Sequence, residues 1–184
     1  MTSIKMMVSS RRFLSLILVL LCVVIASRVA GEEKPESLVN SRRRPAHRLK
    51  QCAWSNINYY GANGIIKECE FTKRSDKTAL RVLWNGNLRV RSRSVPNSCF
   101  RWYFTFNGNE CKDPVPIDSA VSSTSDENRH RVTSIEGLCY GIPSGRVNVE
   151  FRQSGCPGVK PGGEAYTGWN SASRIIVEEI LTSY

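Results

Sequence analysis

Ala79-Leu80-Arg81-Val82-Leu83-Trp84-Asn85-Gly86-Asn87-Leu88-Arg89-Val90-Arg91 is the stretch on which the fold turns. Apolar residues recur at every second position on both sides of Asn85-Gly86-Asn87, the period of a half-buried strand. Asn-Gly between two such runs predicts a β-hairpin. A two-residue turn would set Arg89 opposite Val82 and mix charge into the apolar face. A three-residue loop with Asn87 left-handed pairs Trp84 with Leu88 and Val82 with Val90, and leaves Arg81, Leu83, Arg89, Arg91 and Arg93 on the other face. A one-residue slip would turn every side chain over, so the three-residue loop is expected.

The same alternation recurs outward from this point. Trp102, Phe104 and Phe106 share one face of Arg101–Phe106, and Asn107-Gly108 follows as a second hairpin signal. Val147, Val149 and Phe151 point inward between Arg146 and Arg152, with Asn148 and Glu150 outward. Ile65–Thr72 and Arg174–Leu181 supply further strands, and Ile175-Ile176-Val177 reads as buried on both sides. Glycine and proline clusters at 141–145 and 157–163 mark loops. Short strands at near-regular spacing, with no long 3.6-residue period after residue 31, predict an all-β antiparallel sandwich or jelly roll.

Residues 1–31 read as a secretory signal peptide. Lys5, Arg11 and Arg12 precede the apolar run from Leu14 to Ala26, and Val29-Ala30-Gly31 suits cleavage before Glu32; a cut after Ala26 is a second option. The run is shorter than a membrane span needs, so no membrane insertion is expected. Residues 32–51 read as a basic disordered linker, and 52–184 as the globular domain.

Of seven cysteines, Cys22 leaves with the signal. Cys52, Cys69, Cys99, Cys111, Cys139 and Cys156 remain, and an even number in an exported chain predicts three disulfides. The sequence does not choose among the fifteen pairings that six cysteines allow. Zinc is disfavoured, because there is no Cys-x-x-Cys pair and neither His47 nor His130 stands at ligand spacing.

The whole chain carries a formal charge of +10. Arg42-Arg43-Arg44, with Arg48 and Lys50, forms a basic cluster in the linker, and Arg89, Arg91 and Arg93 form an arginine row in the domain. Both are candidate polyanion-binding sites for sulfated glycans, weighed against plain solvated charge and edge protection. Nucleic acid is not an expected partner of an exported protein.

Six blocks together resemble one family. They are Cys52-Ala53-Trp54; Glu68-Cys69-Glu70-Phe71-Thr72-Lys73; Ala79–Leu83; Arg101–Gly108; Ser134-Ile135-Glu136-Gly137-Leu138-Cys139; and Thr167-Gly168-Trp169-Asn170-Ser171-Ala172-Ser173-Arg174-Ile175-Ile176. From Cys52 to about Ile180 the chain resembles the C-terminal globular domain of collagen triple helix repeat-containing protein one. The resemblance implies a secreted, matrix-associated protein linked to non-canonical Wnt signalling, cell migration and matrix turnover, with Wnt ligands or Frizzled-type receptors as partners. Heparan sulfate and collagen matrix are further expected partners. It also implies a C1q/TNF-like jelly roll and a homotrimer. The collagen repeat that names the family is absent between the signal and Cys52, and Ser92 and Ser98 stand where the resemblance implies cysteines.

An enzyme is not expected. A Ser–His–Asp arrangement would have to use His130, no Gly-x-Ser-x-Gly elbow occurs, and Cys–His catalysis would need an unpaired thiol. Glu136, Glu150, Glu178 and Glu179 are the formal candidates for a carboxylate pair, and Asp126-Glu127 alone is a poor calcium site. No cofactor is expected.

Overall fold

The computed structural model describes residues 48–93, 97–159 and 162–182. The signal segment, most of the linker with Arg42–Arg44, Cys22 and His47 lie outside the described residues. The described chain is all strand, turn and loop.

Eleven strands run in chain order: β1 (Arg48–Ser55), β2 (Tyr59–Tyr60), β3 (Gly64–Lys73), β4 (Thr78–Arg91), β5 (Ser98–Phe106) and β6 (Asn109–Glu110), then β7 (Asp118–Ser123), β8 (Arg131–Cys139), β9 (Gly145–Gly155), β10 (Glu164–Thr167) and β11 (Ala172–Leu181). All pairings are antiparallel. One sheet has the order β1-β11-β4-β10-β2, with β8 on the other side of β4; the second has β3-β9-β5, with β6 and β7 both against β5. Setting aside the short β2, β6 and β10, the eight main strands fall in the order first-eighth-third-sixth and second-seventh-fourth-fifth. That is the double Greek key of a jelly roll, as expected.

Trp84, Phe104 and Phe151 lie fully buried between the sheets. The Trp84 indole stacks on the Phe151 ring with centroids 4.0 Å apart, and Phe104 meets Phe151 at 5.2 Å. Val82, Val147, Val149, Ile175 and Val177 complete the centre. A polar chain crosses this core. Trp102 Nε1 donates to Thr167 Oγ1 at 2.8 Å, Thr167 Oγ1 donates to Gln153 Oε1 at 3.2 Å, and Gln153 Nε2 donates to the Gly61 carbonyl. Each member is satisfied, and together they pin β10 and the loop around β2 against the second sheet.

The central hairpin is corrected. Thr78–Arg91 is one unbroken strand, and Asn87 is not left-handed. β8 pairs with β4 straight through the supposed turn, Gly86 opposite Thr133 and Asn87 opposite Val132. Both turn-like residues serve other ends. A Cβ at Gly86 would sit 2.5 Å from Ser173 Oγ and 2.8 Å from the Trp84 ring, so only glycine lets the indole lie along the strand. Asn87 is buried and holds a loop described below.

The second hairpin stands as expected. Phe106 pairs with Asn109 across Asn107 (φ 50°) and Gly108 (φ 81°), the double positive φ of a type I′ turn. Two smaller expectations are corrected. Arg48–Gln51 belongs to β1, paired with β11 from Glu179 to Ile176, instead of to a disordered linker. Glu150 faces outward as expected, yet is only 7% exposed, because Thr105 Oγ1 donates to it at 2.5 Å and Arg152 at 2.8 Å. Ile176 is half-buried, so only one face of β11 is in the core.

All six expected cysteines are bridged: Cys52–Cys69, Cys99–Cys156 and Cys111–Cys139. The first ties the edge strands β1 and β3 of opposite sheets. Loops of 17, 57 and 28 residues are closed, each limiting the unfolded chain by about 3–4 kcal/mol in the entropic account.

Candidate recognition surface

The arginine row lies at one end of the first sheet. Arg89 and Arg91 stand on its outer face, opposite Tyr166 and Glu164 of β10, and Tyr166 stands opposite Tyr60 of β2. Arg89 is not the free cation expected: it is 7% exposed. Its Nη1 donates to Asn128 Oδ1 at 2.5 Å, its Nη2 approaches Glu164 Oε2 at 3.3 Å, and its guanidinium lies over the Tyr166 ring at 5.2 Å. Arg93 reaches Glu164 Oε1 at 2.7 Å, while Arg91 is half-buried. The row is therefore an organised cluster around Glu164 rather than an open cationic face.

Glu164 also accepts the Tyr60 hydroxyl at 2.8 Å. The bond from Arg93 keeps the Glu164 carboxyl below its ordinary range although burial pushes the other way, and the bond to Glu164 raises the Tyr60 hydroxyl. Burial lowers the Arg89 guanidinium.

Aromatic rings extend the cluster. Tyr60 and Tyr166 have centroids 5.8 Å apart, His130 meets Tyr166 edge-on at 5.7 Å, and His130 stacks on Trp169 at 4.6 Å and 25°. Trp169 is 43% exposed and Tyr60 58%. Burial, with Arg89 nearby, depresses the His130 pKa.

Sequence reasoning missed Trp169, although Gly168-Trp169-Asn170 carried a signal: a tryptophan between two residues that tolerate positive φ. Both adopt it, at 70° and 45°. Asn87 Nδ2 donates to the Trp169 carbonyl at 2.8 Å and to Ser171 Oγ at 2.9 Å, and Asn87 Oδ1 accepts the Trp169 N–H at 2.9 Å. Asn58 Oδ1 takes the Asn170 N–H at 3.2 Å, and the Asn56 N–H donates to the Ser171 carbonyl at 3.0 Å. Three asparagines thus fix the backbone that holds an exposed indole.

Of the four formal carboxylate candidates, two meet at one guanidinium and the others lie elsewhere. Glu136 and Glu178 both bind Arg81, at 2.5 and 2.9 Å. Glu179 accepts from Thr78 Oγ1 at 2.7 Å and from the Arg74 and Ser75 N–H groups. His130 is packed between rings, and Asp126 accepts the Ser92 hydroxyl at 3.1 Å. Among the described residues no three His, Cys, Asp or Glu side chains cluster as metal ligands.

Ser92 and Ser98, the two positions where the resemblance implies cysteines, are adjacent and buried, with Ser98 Oγ donating to the Ser92 carbonyl at 3.3 Å. The family model for the CTHRC1 C-terminal domain matches residues 45–177. The chain belongs to the CTHRC1 C-terminal domain family. The match runs through β1 into β11 and takes in all six bridged cysteines of the CTHRC1-type domain. Solved structures similar to it include the VP2 subviral particle of infectious bursal disease virus, at 10% identity and TM-score 0.34, covering 76% of this chain and 38% of that one. The Gx strain of the same virus gives 10% identity and TM-score 0.35, over 75% and 38%. The chain spans well under half of those capsid chains, and at that level the likeness carries no argument. The strand order above carries the fold assignment.

Proposed function

We propose that this chain is a secreted, extracellular-matrix-associated signalling modulator that acts by protein–protein binding in non-canonical Wnt/Frizzled signalling and cell migration. Membership of the CTHRC1 C-terminal domain family is the observation that carries this reading. Three disulfides support the extracellular setting, since such bridges persist in oxidising compartments. An exposed tryptophan on a clamped loop suits recognition rather than chemistry, as tryptophans dominate binding hot spots. The reading assigns no catalytic role.

The test is capture of the secreted protein by immobilised Frizzled-type cysteine-rich domains and by a Wnt ligand, at low and high salt. Retention at high salt is expected; no capture by either bait at either salt would overturn the reading. A homotrimer belongs to the same proposal, and light scattering of the secreted protein should then give about three times the chain mass.

A second reading is a structural matrix or sulfated-glycan-binding protein without a Wnt role. The Arg42-Arg43-Arg44 cluster favours it. Replacing those three arginines by glutamate would then lower the salt needed for elution from heparin.

A further inference from the structure

We propose that the ring row Tyr60–Tyr166–His130–Trp169 is a binding platform for an acidic saccharide chain, with a sugar ring stacked on Trp169 and a uronate carboxylate held by the adjoining arginines. The site stands independently of the Wnt-pathway reading. It shares Arg89, Arg91 and Arg93 with the sulfated-glycan reading and goes beyond it in adding a stacking ring, Trp169, and in taking a carboxylate as the anion.

The four rings follow one another at 5.8, 5.7 and 4.6 Å with interplanar angles of 43°, 78° and 25°, so the row is a stepped wall whose indole end offers one face to a single sugar ring. The two end rings are the exposed ones, while Tyr166 and His130 are half-buried beneath them. His130 supports one face of the Trp169 indole. Exposing an indole opposes the hydrophobic effect, yet Asn87, Asn58 and Asn56 hold this one in place, so little ordering remains to be done when a ligand arrives.

The balance of donors and acceptors names the ligand. Arg89 and Arg93 both reach one carboxylate, Glu164, and Arg91 stands opposite Glu164 in the β4–β10 register. Glu164 already receives Tyr60, Arg89 and Arg93, and Asp126 receives Ser92. The Arg89 side chain is more than nine-tenths buried. Its Nε and the Arg91 Nε are buried donors without a hydrogen-bond partner. Buried polar groups are nearly always satisfied, so the cluster is short of acceptors. An incoming carboxylate would supply them, with the charge sign that the arginine surplus favours. The rings suit the flat C–H face of a sugar, and the fixed polar groups around them suit its hydroxyls. A purely apolar partner would leave those groups unpaired.

The test measures binding of a hyaluronan octasaccharide and of a neutral chitin oligosaccharide to the full secreted protein by calorimetry. The wild type should bind the first and prefer it clearly to the second. Trp169→Ala should weaken binding at least about tenfold, as for a hot-spot aromatic. Trp169→Phe, which keeps a ring, should retain most of it, with matched thermal midpoints showing that the variants are folded. No hyaluronan binding by the wild type, equal binding of the neutral chain, or unaltered binding by Trp169→Ala would each overturn the proposal. Because none of these readouts uses a Wnt or Frizzled component, their failure is separate from failure of the signalling reading.

Discussion

Ser98 Oγ lies 3.3 Å from the Ser92 carbonyl oxygen, and both residues are buried where β4 ends and β5 begins. The contact joins residues six apart in sequence. A bridge there would close a short loop, limiting the unfolded chain by about 2 kcal/mol in the entropic account. The double variant Ser92→Cys, Ser98→Cys should therefore carry four disulfides and a higher urea midpoint. Non-reducing peptide mapping checks the pairing, and in the wild type the same map should show only the three native links with no free thiol among those six cysteines. Two reduced thiols in the double variant would count against it.

Gly86 offers a direct test of the corrected strand. In a hairpin loop, alanine there would cost little. Inside β4 its methyl group would press on Ser173 Oγ and the Trp84 ring. Gly86→Ala should therefore destabilise the domain by about 1–3 kcal/mol, the range for overpacking. Urea denaturation followed by tryptophan fluorescence measures it, and a change near zero would restore the turn.

Asn87 is the clamp of the Trp169 loop, with three side-chain hydrogen bonds. Asn87→Ala leaves the Trp169 N–H and carbonyl without these partners and should cost about 1–3 kcal/mol. It should also raise amide exchange at residues 168–171 while leaving β3 and β9 protected. Uniform loss of protection across the domain would instead mean that the residue serves the whole sheet.

His130 gives the stability a pH dependence of definite sign. Its folded pKa is depressed by burial and by Arg89, so the unfolded chain binds a proton at higher pH than the folded one. The stabilisation is complete above the unfolded pKa of about 6.5 and falls as pH drops from there toward the folded value. Glu110, Glu164 and Glu179 have lowered pKa values and lose their contributions only at more acidic pH. Between about pH 7.5 and pH 5.5 the denaturation midpoint should fall more for the wild type than for His130→Gln. Equal slopes for the two proteins would remove His130 as the cause.

The faces of β4 were legible even though its topology was not. A three-residue loop and a straight strand both put Val82, Trp84, Leu88 and Val90 on one side, because each keeps the parity of the alternation. Only the neighbours differ, and β8 and β11 lie far along the chain. Asn107-Gly108 was read correctly because its hairpin is local. Asn85-Gly86 misled because its glycine answers a tertiary demand from Ser173 and Trp84, and composition cannot tell the two causes apart. The start of β1 was hidden for a similar reason. Arg48 and Lys50 look like linker, yet on this edge they donate to the Thr72 and Glu70 carbonyls of β3, at 2.8 and 2.6 Å. The cysteine pairing, the burial of Arg89 and the ring row all depend on contacts between distant segments, which a single sequence does not display.

The Cys52–Cys69 bridge gives the domain a mechanical character. Traction on the chain ahead of Arg48 can unzip only Arg48–Gln51 from β11 before it meets this covalent stop, and the load then passes into β3 and the second sheet. A tether drawn taut by its surroundings would thus load the second sheet before it reached Tyr60, which lies further along the same edge in β2.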